Sequence, residues 1–453
     1  MKAMSRRTFV YGAPLLALGA PASVLAQTRA APPVTVFQNV RIFDGRRSTL
    51  SRPSSVLVRG NIIERIVSGT LSPERGAILV DGGGRTLMPG LIDAHVHMTL
   101  STVPLALFMT ADPNYNMLRQ ARAAGEMLMR GFTSARDLAG NSFGLKRAID
   151  EGYALGPRIW PCGASISQTS GHGDFRTVHY LPRSPGDPLH FTERMGATLI
   201  ADGVPEVLRR VREQLMLGAS QIKMMAGGGI ASSYDPLDVT QFTEAEIRAG
   251  VEATESWGTY VTVHAYTPRA IQLAIRAGVR CVDHGQLSDD ATAKMMAQHG
   301  VWWCLQPFLD DEDAIPFPEN SPQREKLLQV ARGTEAAYAL AKKFNVKTAW
   351  GTDTLFDARL AARQGAQLSK LVRWFSPADV LKMATSGNAE LLGLSGPRNP
   401  YPGKLGVIEE GALADLLLVA GDPLADIRVI DDPARNFVLI MKDGKVHKNA
   451  LNS

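Results

Sequence analysis

Two histidines stand two apart in the segment Pro89-Gly90-Leu91-Ile92-Asp93-Ala94-His95-Val96-His97-Met98. Alternate residues of a β-strand point to one face, so an extended conformation here aims both imidazoles the same way. Neutral imidazole is a favoured ligand for zinc and related divalent ions. A His-x-His pair taken alone is also compatible with two structural histidines. The Pro-Gly-Leu-Ile-Asp run ahead of it tips the reading toward a metal site at the end of a buried strand.

The segments that must position such a strand alternate in type. EMLMRG runs into FTSARDL, LRRVREQLMLG into ASQIKMMAGG, ATESWG into TYVTVHAY, LAIRAG into VRCVDHG, and AKMMAQHG into VWWCLQP. A helix closed by glycine and followed at once by a strand is the signature of a helix-to-strand loop in α/β folds. With LIDAHVHM, RIWPCGAS and KTAWGTDT the count reaches eight strands, which predicts a (β/α)₈ barrel over residues 89–402. A doubly wound open sheet is the competing architecture. AGGGI at 226–230 follows a strand but lacks the GxGxxG spacing and the downstream acid of a dinucleotide site.

Residues 30–88 and 403–450 instead read as short strands, with Asp443-Gly444 as a hairpin signal. Neither tail can bury a sheet face alone, so the two are expected to pair into one small β-sandwich. The connection from Ser167 to Lys223 is unusually long and rich in Gly, Pro and His, and is expected to cover the catalytic end of the barrel.

Composition narrows the function classes. Of 453 residues 45% are hydrophobic and 21% charged, which predicts a large core and excludes disorder. The net charge is +5, of which residues 1–26 carry three through Lys2, Arg6 and Arg7. A body at +2 gives no reason to invoke nucleic acid. Ser5-Arg6-Arg7-Thr8-Phe9-Val10 resembles a twin-arginine export signal, followed by a modestly apolar run and a small-residue cleavage site at Val24-Leu25-Ala26. The run is broken by Gly12, Pro14, Gly19 and Pro21, which argues against a membrane anchor. A periplasmic or secreted protein with no membrane span after signal removal is expected. Cys162, Cys281 and Cys304 show no CxxC spacing and read as buried thiols, with a Cys281–Cys304 bridge left open.

With HxH on the first strand, the chain resembles the amidohydrolase superfamily over nearly its whole length. That family joins the HxH with a strand-four lysine, two single histidines and a terminal aspartate. Matching positions occur in order at strand ends: Lys223 in QIKMMAGG, His264 in VTVHAY, His284 in CVDHG and Asp353 in AWGTDT. Each alone would read as structural. The resemblance implies two divalent ions, with zinc expected. His95, His97 and Asp353 would hold one, and His264 and His284 the other. Lys223, carboxylated to a carbamate, and a hydroxide would bridge them. An ordinary lysine paired with Asp353 or another acid is the alternative, since a protonated amine binds no cation. Deaminases of the superfamily place a glutamate just after the strand-five histidine. Here Ala265-Tyr266-Thr267-Pro268 follow His264, which favours hydrolysis. Attack by the bridging hydroxide is implied, with Asp353 passing its proton to the leaving nitrogen.

Within the superfamily, IKMMAGGG, HAYTPRAI and the Gly-His-Gly loop resemble the imidazolonepropionase-related group, which includes Xaa-Pro dipeptidases, carboxypeptidase-like enzymes and ochratoxin-type amidases. The implied substrate is a small-molecule amide or peptide: a dipeptide or an N-acyl amino acid with a free carboxylate. His172 and Tyr266 are candidates for orienting it and aiding catalysis, and Arg136 is a candidate carboxylate ligand or a partner of Asp137. Trp302, Trp303, Phe308 and Trp350 suggest either an aromatic pocket or barrel-to-helix packing. His179 and His190 fall in the loop region, while His299 and His447 are assigned to structure. Hydrolysis of a cyclic amide or lactone, and a non-catalytic exported metal-binding protein, stand as alternatives. Relatives often form homo-oligomers, and no sequence feature measures that here.

Overall fold

The computed structural model describes residues 32–184 and 186–451. The export-signal segment at residues 1–26 lies outside the described residues. The chain opens with five strands: β1 (Val34–Ile42), β2 (Ser54–Arg59), β3 (Ile62–Ser68), β4 (Ile78–Asp81) and β5 (Thr86–Pro89). β1 shifts register between Phe37 and Val40, so that its first half pairs with β2 and β4 and its second half with β5. One strand thereby serves both halves of the terminal sheet.

The barrel follows. Its strands are β6 (Leu91–Val96), β7 (Phe132–Asp137), β8 (Arg158–Pro161), β9 (Ser165–Ser167), β10 (Thr198–Ile200), β11 (Ile222–Met225), β12 (Val261–Ala265), β13 (Cys281–His284), β14 (Trp302–Leu305) and β15 (Thr348–Trp350). All pair in parallel, in the ladders β6-β7-β8 and β10-β9-β11-β12-β13-β14-β15. The expected third strand is therefore two pieces. β8 pairs with β7 and β9 with β11, and the chain steps between ladders at Cys162-Gly163. The Gln221 side chain ties the step by donating to the carbonyls of Asp137 and Trp160. β10, inside the long connection, adds a strand that periodicity did not disclose.

The remaining seam closes between β15 and β6. Asn388 donates to the carbonyls of Ile92 and Trp350 and accepts from Trp350 N–H. Asp353 N–H donates to His95 O at 2.8 Å. A Cβ on Gly351 would lie 2.4 Å from His95 N, so only glycine lets the strands approach this closely. Helices pack outside the strands. Two of them end on glycines in the left-handed conformation, Gly218 after Val204–Leu217 and Gly300 after Asp290–His299.

The chain returns to the first sheet with β16 (Leu416–Val419), β17 (Phe437–Lys442) and β18 (Lys445–Asn449), giving the order β18-β17-β16-β5-β1-β2-β3 with β4 on β1. β16 pairs antiparallel with β5, and β17 turns into β18 at Asp443-Gly444. The two tails thus form one β unit around a core that includes Phe37, Val56, Leu87, Leu416, Leu439 and Met441. β16 is buried on both faces. Leu416 and Leu418 fill that core while Leu417 and Val419 join the barrel's helix layer, which explains its unbroken apolar run. Among the described residues no helix is long and apolar enough to cross a membrane.

Candidate active site

The C-terminal rim of the barrel gathers the titratable groups. Asp93, His95 and His97 share one parity on β6 and its exit, and all three are buried. Asp93 accepts from His95 N–H, Thr352 N–H, the Thr352 hydroxyl and the Gln364 amide, which ties the start of the HxH to the β15 exit. His97 Nε2 lies 2.9 Å and His95 Nε2 3.2 Å from Asp353 Oδ1. His284 Nδ1 is 3.9 Å from Asp353 Oδ2. One ligand atom from each of His95, His284 and Asp353 lies within 4.8 Å of the others.

Asp353, just past β15, and His284, the last residue of β13, both hold positive φ, 52° and 77°. That conformation is costly for side chains bearing a Cβ and clusters at functional sites. On β13 it has a specific result. Strict alternation would put Asp283 and His284 on opposite faces, yet both serve the barrel mouth. Asp283 Oδ1 is 3.2 Å from His95 Nδ1 and 2.7 Å from Arg136, while Oδ2 is 2.6 Å from Lys223 Nζ and 2.7 Å from the Thr262 hydroxyl. His284 rests its Nδ1 2.7 Å from Gln306 Oε1.

His264, on β12, lies with its ring 4.4 Å from that of His284. The loop residue His172 stacks on His264 at 4.0 Å. A Cβ on Gly229 would lie 1.8 Å from His172 Nδ1, so this glycine exists to let the long loop reach the rim. The glycine run at 226–230 is thereby explained by close approach. His172 Nδ1 is 2.8 Å from Ser232 Oγ, with the buried Asp235 carboxylate at 3.7 Å. Tyr266 packs its ring 5.2 Å from His284. His172, His264, Tyr266 and Asp353 line a cleft of about 720 Å³, walled on its other side by apolar residues such as Ile230, Phe308 and Leu327.

Burial lowers the pKa of His97, His264 and His284, the last two well below the ordinary range, so their imidazoles are neutral. His95 is the exception, because Asp353 and Asp283 outweigh burial and raise it. Burial would raise Asp353, but His95 and His97 hold it well below the carboxylate range. Burial keeps Tyr266 protonated and pushes His172 down to about 4. Neutral imidazoles around an ionised carboxylate are the donor set a divalent cation needs. His97 Nδ1 is also buried without a partner. The residues therefore fit a metal centre.

Several sequence expectations land elsewhere. Arg136 does not reach the cleft: it is fully buried below the rim, where its guanidinium donates to Ala94 O, the Tyr260 hydroxyl and Asp283. Its partner is Asp283, because a buried cation takes the nearest buried acid, and Asp137 instead accepts from Met98 N–H and Ser142. Lys223 pairs with Asp283 and not with Asp353. Trp303 and Trp350 pack into the helix layer and Trp302 into the barrel floor, leaving Phe308 as the cleft aromatic of that group. All three cysteines are free and buried; Cys281 faces Trp302 and Cys304 faces Asp283 across β13–β14. His190 caps the helix Phe191–Arg194, and His179 lies in the short turn Val178–Tyr180. Sequence reasoning missed Asp283, Gln306, Asp93 and Asp235. Parity could have found Gln306, two residues after the inward Cys304.

A closed parallel barrel with this donor set at its C-terminal rim defines a metal-binding barrel hydrolase. Residues 86–447 match the amidohydrolase family, and the chain belongs to it. Ochratoxinase of Aspergillus niger is 32% identical over 385 residues, covering 80% of this chain and 75% of that protein. A prolidase solved with N-methylphosphonate-L-proline has a TM-score of 0.83 at 36% identity, covering 92% of this chain and 100% of its own. A Xaa-Pro dipeptidase with methionine in its active site has a TM-score of 0.79 at 27% identity, with the same coverage. The protein is a hydrolase acting on carbon–nitrogen bonds.

Proposed function

We propose that the chain hydrolyses an amide joining an acyl group to an amino acid with a free carboxylate, in the class of dipeptides and N-acyl amino acids. The convergence of His95, His97 and His284 on Asp353 carries this reading. The ochratoxinase and prolidase relatives support it. Two divalent ions, zinc by preference, would be held by His95, His97, His264, His284, Asp353 and a carboxylated Lys223. When bound, they supply Lewis acidity toward the scissile carbonyl and the attacking water.

The chain's own residues do the rest. Asp353, ionised at neutral pH, takes the proton of the attacking water and returns it to the leaving nitrogen. The Tyr266 hydroxyl, kept protonated by burial, donates to the substrate. His172, held by Ser232, lines the cleft with its other ring nitrogen free to meet substrate. Ile230, Phe308 and Leu327 exclude water from the acyl or side-chain portion. The Ser5-Arg6-Arg7 pattern supports twin-arginine export of the folded enzyme, which Arg6→Lys with Arg7→Lys should block.

The test is a panel of dipeptides and N-acyl amino acids, each with its C-terminal amide, incubated with zinc-reconstituted protein. Release of the free amino acid, and a preference for the free carboxylate over the amide, is the expected result. Turnover of lactones or cyclic amides alone would replace this reading, and no turnover at all would favour a binding protein.

A further inference from the structure

Behind the rim lies a second cavity that the hydrolytic reading does not use. It is partly open, about 400 Å³ with the adjoining solvent included, between the β6 exit, the helix Pro113–Met129 and the helices after β15. Arg130, the residue that ends that helix, lines it. Its Nε donates to Gln364 Oε1 at 3.2 Å, and Gln364 in turn donates to Asp93 at 2.8 Å. The amide thus stands between the cation and the nearest buried carboxylate. Among the described residues no acid lies within ion-pair distance of Arg130, and its two Nη groups meet no protein acceptor. The guanidinium has no close ion-pair partner: burial outweighs the more distant charges of Glu126 and Asp93 and pushes its pKa down to about 10.

The rest of the lining is suited to a negative guest. Ser101, Thr102 and Thr354 contribute hydroxyls, Met98 and Met127 apolar wall, and no carboxylate faces the cavity. We propose that this cavity binds a small monovalent anion, a halide or a short carboxylate such as formate, on the Nη groups of Arg130. A cation is excluded by the guanidinium, and the apolar wall disfavours a large, strongly hydrated anion. Thr352 and Thr354 line this cavity and also the catalytic cleft, and they flank Asp353. The bound anion therefore sits against the segment that places the candidate catalytic carboxylate.

The experiment uses the full chain as purified, with its metal. Thermal unfolding is followed at constant ionic strength while gluconate is replaced stepwise by bromide or by formate. A saturable rise of about 2 °C or more is expected for wild type. Arg130→Gln should abolish it, as should Thr102→Leu, which fills the cavity and leaves the cation in place. Crystals grown in bromide should show an anomalous peak within hydrogen-bond distance of Arg130. The two anions together distinguish a halide site from a carboxylate site. A rise of equal size in both variants would place the anion elsewhere, the metal centre included, and overturn the proposal. No rise and no peak in wild type would show that the cavity holds water. Should Arg130→Gln fail to fold, Thr102→Leu and the wild-type bromide map decide.

Discussion

Lys223 Nζ lies 2.6 Å from Asp283 Oδ2, and neither side chain is more than 1% exposed. The same carboxylate takes Arg136, Thr262 and His95, so a single aspartate neutralises two buried cations and holds one imidazole. A carbamate on Lys223 would remove one of those cations and leave Arg136 as the counter-charge that keeps Asp283 ionised. Asp283 would then continue to receive His95 Nδ1–H, leaving Nε2 beside Asp353 and available to a metal. Arg136 thus has a reason to be charged and fully buried that has nothing to do with substrate.

Reconstitution should therefore depend on carbon dioxide. Metal-stripped protein given zinc with bicarbonate is expected to recover at least about tenfold more activity than the same protein given zinc in carbon-dioxide-free buffer, because only a carbamate would give Lys223 oxygens able to hold a metal. Metal analysis by mass spectrometry should show about two ions per chain in the first sample. Equal recovery in both buffers would leave Lys223 as an ordinary lysine paired with Asp283.

Arg136→Met is expected to act on stability. With Lys223 carboxylated, removing Arg136 would strand the buried Asp283 charge, at a cost of about 3–5 kcal/mol. Chemical denaturation should reveal that loss. If Arg136 served substrate binding, KM would rise for free-carboxylate substrates and stay level for their amides. No such split is expected.

His172→Asn and Tyr266→Phe should each lower kcat/KM by roughly a hundred- to a thousandfold, the range for losing one donor to a developing anion. Metal content should stay unchanged, since neither is in the candidate ligand set. Loss of metal in His172→Asn would mean that its stack on His264 serves ligand positioning instead.

Much of this was legible because it is local. Parity on β6 pairs His95 with His97, and glycine-closed helices mark where strands begin. The two tails declare themselves by alternation and a hairpin signal. What sequence could not disclose depends on contacts distant along the chain. Asp283 hides beside His284 because alternation predicts opposite faces, and only the positive φ at His284 brings both to the rim. Arg136 invites a substrate role until its acceptors, contributed by β6 and β13, are known. The split of the third strand is bridged by Gln221, the residue just before β11, whose amide meets the carbonyls at the step.

Asp137 offers a pH test on a group outside the candidate ligand set, although His95 is among the charges it feels. Its carboxyl is fully buried at the end of β7, and burial pushes its pKa up to about 7, against the pull of the Ser142 hydroxyl and Met98 N–H. In the unfolded chain the same group ionises near pH 4. Between about pH 4 and 7 the unfolded state has therefore released a proton that the folded state retains. Stability attributable to this group is present below the unfolded value and falls as pH rises through the window, by up to about 1.4 kcal/mol per pH unit, then levels off above 7. Asp137→Asn keeps an acceptor for Met98 N–H and removes the ionisation. The unfolding free energy of the variant relative to wild type should thus climb from pH 4 to 7 and stay flat beyond, measured by denaturant titration at each pH. Comparing the two proteins cancels the pH dependence of metal binding common to both. A difference independent of pH across that window would show that Asp137 is ionised throughout, with its charge met by a group that Ser142 and Met98 do not represent.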